Sequence, residues 1–364
     1  MFAIFELMKL SKKTIFLIIL LPIQILIVQF LSRKTAFIEQ YYSNGIYPYI
    51  SNLFRFLLGW IPFSFGDLLG LFLIGVLMYK VYKLIKTKFR NFINNLLQLI
   101  SFLSILYFAF YMFWGLNYFR EPLAQNLGLQ QSQYTTDQLI NVTTKIIEKL
   151  NTQQLKITNN DTLKVIVPYS TSEIYEKVPV AYDYVVKDYP QLRYTNPSIK
   201  SSLVSLFQSY NGTAGYLNPI TGEAQVNDML PKAGYPSTTC HEVAHQIGWS
   251  AENDANFVGF LACIYSNDPY FNYSGYRMAF RYCMREIRKR DPEKYKVLWE
   301  KTHKGIAKEL KDNYEFWRQF ENPIEPLLKK GYNSYLKANN QTKGIDSYSY
   351  VVDLLIAYFE KNNL

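Results

Sequence analysis

The sequence predicts a mainly α (α+β) protein in which N-terminal transmembrane helices precede a mostly helical domain with a small β-hairpin or sheet. Long apolar runs are confined to residues 1–117, whereas amphipathic helical patterns and turn-rich stretches fill residues 118–364. Hydrophobic residues make up 49% of the chain and charged residues only 19%, a balance that suits a protein with a membrane part. We therefore expect a membrane domain with about three transmembrane helices at 1–117 and a second domain at 118–364.

The first apolar run follows Lys12 and Lys13 and extends over residues 14–31 without a charged side chain. It is long enough to span a bilayer. A cleaved signal peptide has a shorter apolar core followed by a cleavage site with small residues, and no such site follows Leu31. The run therefore predicts a transmembrane helix.

Two further spans are predicted before residue 118. Residues 68–79 are apolar and continue amphipathically to residue 85, so a span here requires the lysines at its end to extend towards the headgroups. Residues 91–119 contain no charge at all and give the clearest span. Between the first and second runs, residues 35–65 are aromatic and interrupted by Gly and Pro, which predicts an interfacial or re-entrant connection.

The positive charge of the chain is concentrated in this N-terminal third. Residues 1–117 carry a net charge of +8 out of +10 for the whole chain, and five of the cations lie within residues 80–90. Positively charged loops remain in the cytoplasm, so three spans would place the C-terminal domain outside it, on the periplasmic face of an inner or plasma membrane. The partners are therefore expected to include the lipid bilayer but no nucleic acid, because no basic face recurs after residue 117.

After residue 118 the patterns are mostly helical. Thr135 and Gln138 form a capping box that begins a helix, and residues 162–167 alternate like a short strand. Residues 210–227 read as a β-hairpin around an Asn-Pro-x-Thr-Gly turn. One or two helices interrupted near Asp291 follow over residues 276–310, and a last helix covers about 347–361.

The segment Thr239–Gly248 contains the residues that most strongly indicate chemistry. His241 and His245 are four residues apart, so on a helix their imidazoles lie on one face and can converge on a metal ion. Glu242 lies between them and is placed to act as a general base towards a water molecule. The pattern H-E-x-x-H therefore predicts a catalytic zinc site.

A catalytic zinc ion takes three protein ligands, so one more is needed. On a straight helix, Glu252 would lie roughly 10 Å along the axis from His245, too far for shared coordination. A left-handed turn at Gly248 would end the helix and return the chain, with a second helix starting near Ala251. Glu252 is then the favoured third ligand, and Asp254, which lies about 200° further round the helix, is the alternative.

The remaining candidates have structural interpretations. Cys240, Cys263 and Cys283 are too few for a disulfide framework and are expected to be buried apolar residues. A nucleophilic role for Cys240 is disfavoured because neighbouring helix residues point about 100° apart. His303 has no motif around it and is expected at the surface.

The stretch Glu252–Asn256 resembles the E-x-x-x-D/N pattern of gluzincin metallopeptidases. This resemblance implies that Glu252 is a zinc ligand and that Asn256 is the partner of a histidine. Nearly the whole chain, and residues 212–262 most specifically, also resembles an uncharacterised bacterial family of multi-pass membrane proteins regarded as zinc metallopeptidases. The spacing from His245 to Glu252 is shorter than in typical gluzincins and closer to the metzincin arrangement with its glycine turn.

The resemblance further implies a zincin-like domain with an edge strand around Ala224, Gln225, Val226 and Asn227, which would bind an extended peptide by strand addition. Zinc peptidases also need a group that stabilises the oxyanion, for which Tyr216 and Tyr348 are candidates.

The expected function is that of a membrane-anchored zinc-dependent metallopeptidase acting on peptide or protein substrates, with Glu242 as general base. A non-catalytic scaffold that keeps the zinc site is the main alternative. An intramembrane protease is disfavoured, because the apolar run 257–266 is too short to span.

Overall fold

A computed structural model of the chain describes residues 11–129, 134–341, 344 and 350–362. The helices, in chain order, are α1 (Lys12–Leu31), α2 (Tyr47–Leu58), α3 (Phe65–Lys86), α4 (Phe92–Phe113), α5 (Thr136–Thr158), α6 (Thr171–Val185), α7 (Ser205–Asn211), α8 (Tyr235–Gln246), α9 (Glu252–Tyr265), α10 (Pro269–Arg290), α11 (Pro292–Glu300), α12 (Lys304–Arg318), α13 (Glu325–Ala338) and α14 (Val351–Lys361). The strands are β1 (Ile199–Ser201), β2 (Gly215–Leu217) and β3 (Ala224–Val226). Short helical turns cover Thr35–Phe37, Gly115–Phe119, Leu123–Asn126, Pro190–Leu192 and Lys232–Gly234. The mainly α architecture with a small sheet is as predicted.

Helices α1, α3 and α4 are long and apolar enough to cross a membrane, which confirms the three predicted runs. Helix α1 packs along α4, and Val28 near the end of α1 lies in one cluster with Trp114, which follows α4. The two helices therefore run in the same direction. A tight turn joins α3 to α4, so the Lys12 end of α1 and this lysine-rich turn lie at the same end of the spans.

The helices within residues 35–65 are not among those long and apolar enough to span, and this segment is more helical and more buried than the interfacial connection that was expected. A π-helix, Ile38–Ile46, leads directly into α2. Tyr47 and Ser51 are buried because this segment packs under helix α8 of the C-terminal part, whereas Tyr42 is buried against the end of α4, where its hydroxyl lies near the Tyr111 and Met112 carbonyls. In contrast, Trp60 at the far end of the segment is exposed.

The sheet has the order β1-β3-β2. Strands β2 and β3 form the predicted hairpin, antiparallel with Tyr216 opposite Gln225. Strand β1 pairs parallel with β3 on its other side. Residues 162–167 were expected to form a strand and do not; Val165 and Val167 are buried and Ile166 is exposed, but this extended segment has no strand partner among the described residues.

The sheet also receives the start of α3. The buried carboxylate of Glu223 accepts hydrogen bonds from the backbone amides of Phe65 and Gly66, 3.1 and 2.6 Å away. Gln225 donates to the Ser64 hydroxyl, and this hydroxyl in turn caps the helix by accepting from the Asp67 amide. Because the first amides of a helix have no intrahelical partner, these side chains both satisfy α3 and fix its position on the sheet.

The C-terminal core is built around α9, which is buried along most of its length between α8, α10 and α14. The capping box at Thr135 is present at the start of α5. The predicted interruption at Asp291 separates α10 from α11, with Asp291 capping α11. Helix α14 presents Val351, Leu354, Leu355 and Tyr358 to the core, as its pattern predicted.

Candidate metal centre

His241, His245 and Glu252 converge at the end of α8 and the start of α9. One ligand atom from each lies within 4.8 Å of the others. The two histidine Nε2 atoms are 3.1 Å apart, and Glu252 Oε2 lies 3.3 Å from that of His241 and 3.8 Å from that of His245. The sequence therefore predicted correctly that Glu252 returns to within a few ångströms of both imidazoles.

The return of the chain depends on Gly248. Helix α8 ends at Gln246, Gly248 has a φ of +94°, and α9 begins at Glu252 with Ala251 as its extended N-cap residue. Residues other than glycine rarely adopt this φ, so a glycine is needed to turn the chain. Gly259 then lets the two helices approach, because a Cβ at this position would lie 3.0 Å from the His241 backbone nitrogen.

Side chains from the N-terminal part hold the end of α8. The Trp114 indole donates to the His245 carbonyl over 3.1 Å, and the Tyr47 and Ser51 hydroxyls each donate to the Gln246 carbonyl over 2.8 Å. Arg120 donates to the Gly248 carbonyl over 3.0 Å. The Gln246 carbonyl is one of those that a helix leaves without a partner when it ends, whereas the His245 carbonyl also accepts from the Gly248 amide over 3.1 Å. Side chains that precede residue 121 therefore hold both the end of α8 and the turn that follows it. Sequence reasoning missed this contact.

Hydrogen bonds orient two of the three ligands. His245 Nδ1 lies 2.7 Å from the Trp249 carbonyl, which fixes this nitrogen as the protonated one and leaves Nε2 for a metal. The Tyr332 hydroxyl donates to Glu252 Oε1 over 2.6 Å, so Oε2 is the oxygen that faces the histidines. Tyr332 lies on α13, 80 residues from Glu252, and no local sequence signal pointed to it.

Glu242 is buried beside these ligands. Its exposed fraction is 3%, and its Oε2 atom has no hydrogen-bond partner in the described part of the chain. Gly215 on β2 packs directly against it, because a Cβ there would lie 2.6 Å from Glu242 Oε1. A buried carboxylate oxygen that lacks a partner needs one from outside the chain, for example a water molecule.

The electrostatics of the centre separate its two carboxylates. Burial raises the pKa of Glu242 to about 7. Burial would also raise the pKa of Glu252, but the hydrogen bonds and charges of the two histidines outweigh it and hold this pKa well below its usual range. Glu252 is therefore the permanent anion of the site, and Glu242 is the carboxylate suited to gaining and losing a proton.

The distances fit a zinc ion. Nitrogen and oxygen ligands at about 2.0–2.1 Å from tetrahedral zinc lie about 3.3 Å from one another. The observed separations of 3.1, 3.3 and 3.8 Å bracket this value. With Nε2 of His245 directed inward, the donor set of two imidazoles and one carboxylate suits zinc and leaves a fourth position open.

The neighbouring candidates have other partners. Asp254 points away from the histidines and accepts a hydrogen bond from the Leu123 amide over 3.4 Å. Asn256 was expected to contact a histidine; instead its side-chain amide donates to the Glu252 carbonyl over 2.7 Å. Nδ1 of His241 has no partner among the described residues. The expectation for Asn256 is therefore corrected.

The expected substrate strand and one of the two oxyanion candidates, Tyr216, also need correction. Ala224, Gln225 and Val226 form the central strand and Asn227 follows it, so this segment has no free edge. The Tyr216 hydroxyl donates to Asp67, on the face of β2 opposite Gly215 and therefore away from Glu242. Tyr348 lies outside the described residues.

The remaining histidine and the three cysteines are not part of the cluster. Cys240, Cys263 and Cys283 are fully buried and unpaired, as predicted. His303 is half-buried rather than at the surface, with its Nδ1 atom 2.7 Å from Gln154 Oε1. It begins helix α12 and has a structural role.

Comparison with known proteins finds one family. The model of a family described as "Protein of unknown function (DUF3810)" matches residues 42–356. No curated protein and no solved structure matches the chain. The match includes the residues of the metal centre and most of the segment that supports it.

Proposed function

We propose that this chain is a membrane-anchored zinc-dependent metallopeptidase. The chain belongs to the DUF3810 family, because the family model covers residues 42–356. The observation that carries the proposal is the convergence of His241, His245 and Glu252 through the turn at Gly248. Glu242 is buried beside them, and its Oε2 atom has no hydrogen-bond partner among the described residues, which supports a catalytic rather than a purely structural site.

The roles of the residues follow from their chemistry. A bound zinc ion would supply a Lewis acid that lowers the pKa of water and polarises a carbonyl. Glu242 accepts a proton from the attacking water as the water oxygen bonds to the peptide carbonyl carbon. The same carboxylic acid then transfers the proton to the amine nitrogen as the carbon–nitrogen bond breaks. Burial raises the pKa of Glu242 to about 7, which suits a group that must both accept and donate a proton.

Strand β2 is the part of the sheet suited to hold a substrate. It is an edge strand, whereas β3 is paired on both sides. Gly215 on β2 packs against Glu242. An extended peptide that adds to the free edge of β2 would therefore pass beside the general base.

We propose that the metal centre faces the extracytoplasmic side. The lysine-rich turn after α3 and the Lys12 end of α1 lie at one end of the spans, and Trp114, which contacts α8, follows the opposite end of α4. Positive charges favour the cytoplasm, so the opposite end would face outward.

The test is turnover of a peptide library by the full-length protein in detergent, with wild type compared with Glu242→Gln. The variant keeps all three ligands, so its zinc content by mass spectrometry should equal that of wild type while turnover falls by at least about 100-fold. Equal turnover in both would refute Glu242 as general base.

The same experiment separates the scaffold alternative. Zinc bound to wild type without turnover of any peptide, and with no difference between the two proteins, would favour a structural role for the ion. Absence of zinc from the wild-type protein would refute both versions of the site.

A further inference from the structure

Helix α7 has its polar and apolar faces reversed. Its buried residues are Ser205, Gln208 and Ser209. Its exposed residues are Leu206 and Phe207, which are 56% and 66% exposed, and the tyrosine at 210. A helix on the water-exposed surface of a protein buries its apolar face. The outward face of α7 is apolar and is therefore suited to an apolar medium.

The polar inner face has a clear structural reason. The Ser205 hydroxyl accepts from the Asp228 amide over 3.1 Å, and the Ser209 hydroxyl accepts from the Asn227 side chain over 2.9 Å. These hydrogen bonds hold the chain that leaves β3. The inner face therefore serves the loop after the sheet, and no such role explains the apolar residues outside.

The outer face is continuous with a membrane span. The Leu203 amide and the Ser202 hydroxyl donate to Asp67 Oδ2 over 2.7 and 2.8 Å, and Asp67 lies in the first turn of α3. Leu203 is half exposed, as is Leu68, the first apolar residue of the span after Asp67. The outer face of α7 thus begins at the level where α3 enters the bilayer.

The surroundings of α7 extend the same surface. Residues 201–222 contain no Asp, Glu, Lys or Arg. The Asn322 side chain donates to the Tyr210 carbonyl over 2.7 Å and brings the start of α13 alongside. There Ile324 and Leu327 are 60% and 69% exposed. We define the interfacial surface as Leu203, Leu206, Phe207, Tyr210, Ile324 and Leu327.

We propose that this interfacial surface lies in the headgroup and upper acyl region of the same bilayer that α3 spans. The occupant is lipid rather than a second protein because the surface is continuous with the lipid-facing side of a spanning helix. It also combines aromatic and aliphatic side chains, as does the apolar face of a helix that lies in a membrane surface. The acidic residue beside it, Glu325 on α13, is paired with Lys329. The soluble part would then be held against the membrane at two places, at its spans and at α7.

The test is site-directed spin labelling of the full-length protein in vesicles of equal parts phosphatidylcholine and phosphatidylglycerol. The three native cysteines are fully buried and should not react with the label while the protein is folded. Phe207→Cys reports on the interfacial surface. Val297→Cys, an exposed apolar position on α11, is the matched control, because α11 packs on α10 and α5.

Oxygen partitions into lipid, whereas a charged nickel complex stays in water. The ratio of oxygen collisions to nickel collisions should therefore be several-fold higher for a label at residue 207 than for a label at residue 297. Leu206→Cys should behave like Phe207→Cys. Equal nickel collisions at 207 and 297 would overturn the proposal, because the face would then be in water. A label at 207 protected from both reagents would overturn it as well, because a protein would then cover the face. Neither readout requires zinc or peptide turnover, so the outcome is independent of the proposed activity.

Discussion

Replacement of Gly248 by alanine tests the turn on which the metal centre depends. At a φ of +94° a side chain is strained by about 1–2 kcal/mol. The new Cβ would also lie 3.0 Å from Tyr47 Cε1 and 3.3 Å from Asn117 Oδ1, and both atoms belong to buried residues. The chain can relieve the strain only by moving the turn that brings Glu252 to the histidines.

The expected loss of zinc affinity follows from this strain. Since about 1.4 kcal/mol is a factor of ten in an equilibrium constant, the dissociation constant for zinc should rise about 5- to 30-fold. We would measure it by competition with a chromogenic chelator on full-length protein in detergent. Gly248→Val should have a larger effect because a β-branched residue adopts this conformation even less readily.

The matched control is Gly128→Ala. Gly128 also has a positive φ, of +60°, but a Cβ there would meet only Lys361 Nζ at 3.6 Å and none of the residues that form or hold the metal centre. This variant should lose stability without a change in zinc affinity. If Gly248→Ala lost only stability, as Gly128→Ala should, the turn would not control the position of Glu252 and the reasoning would be wrong.

Three further predictions follow from the same structure. His245→Ala should leave the purified full-length protein without zinc by mass spectrometry, because two ligands hold zinc poorly; one zinc per chain in this variant would exclude the site described. Reporter fusions after residue 130 should give an alkaline-phosphatase signal, and fusions within residues 80–90 a cytoplasmic one; the reverse result would invert the topology. Arg277→Ala should lower the free energy of unfolding by about 3–5 kcal/mol in a denaturant titration, because it leaves the buried carboxylate of Glu309, 2.7 Å from Arg277 Nε, without its charge partner. A loss below about 1 kcal/mol would show that water reaches Glu309.

The parts of the fold that could be predicted depend on local patterns. The spans follow from uninterrupted apolar runs, and the hairpin follows from its turn residues. The third ligand could be inferred because helix geometry rules out a straight path from His245 to Glu252, and Gly248 is the residue that permits a bend. Each of these arguments uses residues within a few turns of one another.

The errors come from contacts between distant segments. The alternation in residues 162–167 correctly reflects which side chains are buried, but it contains no information about whether a partner strand exists. Ala224–Val226 became a central strand because β1, which lies 25 residues earlier, pairs with it. Tyr332 reaches Glu252 across 80 residues, so only the folded chain brings them together.

The hydrogen bond from Trp114 to the His245 carbonyl joins α8 to the residue that follows the last turn of α4. A spanning helix tilts when the hydrocarbon thickness of its bilayer does not match its length. Such hydrophobic mismatch would act on α8, which carries the candidate ligands His241 and His245, directly through the indole of Trp114. We therefore expect the position of His245 to depend on the acyl-chain length of the host membrane.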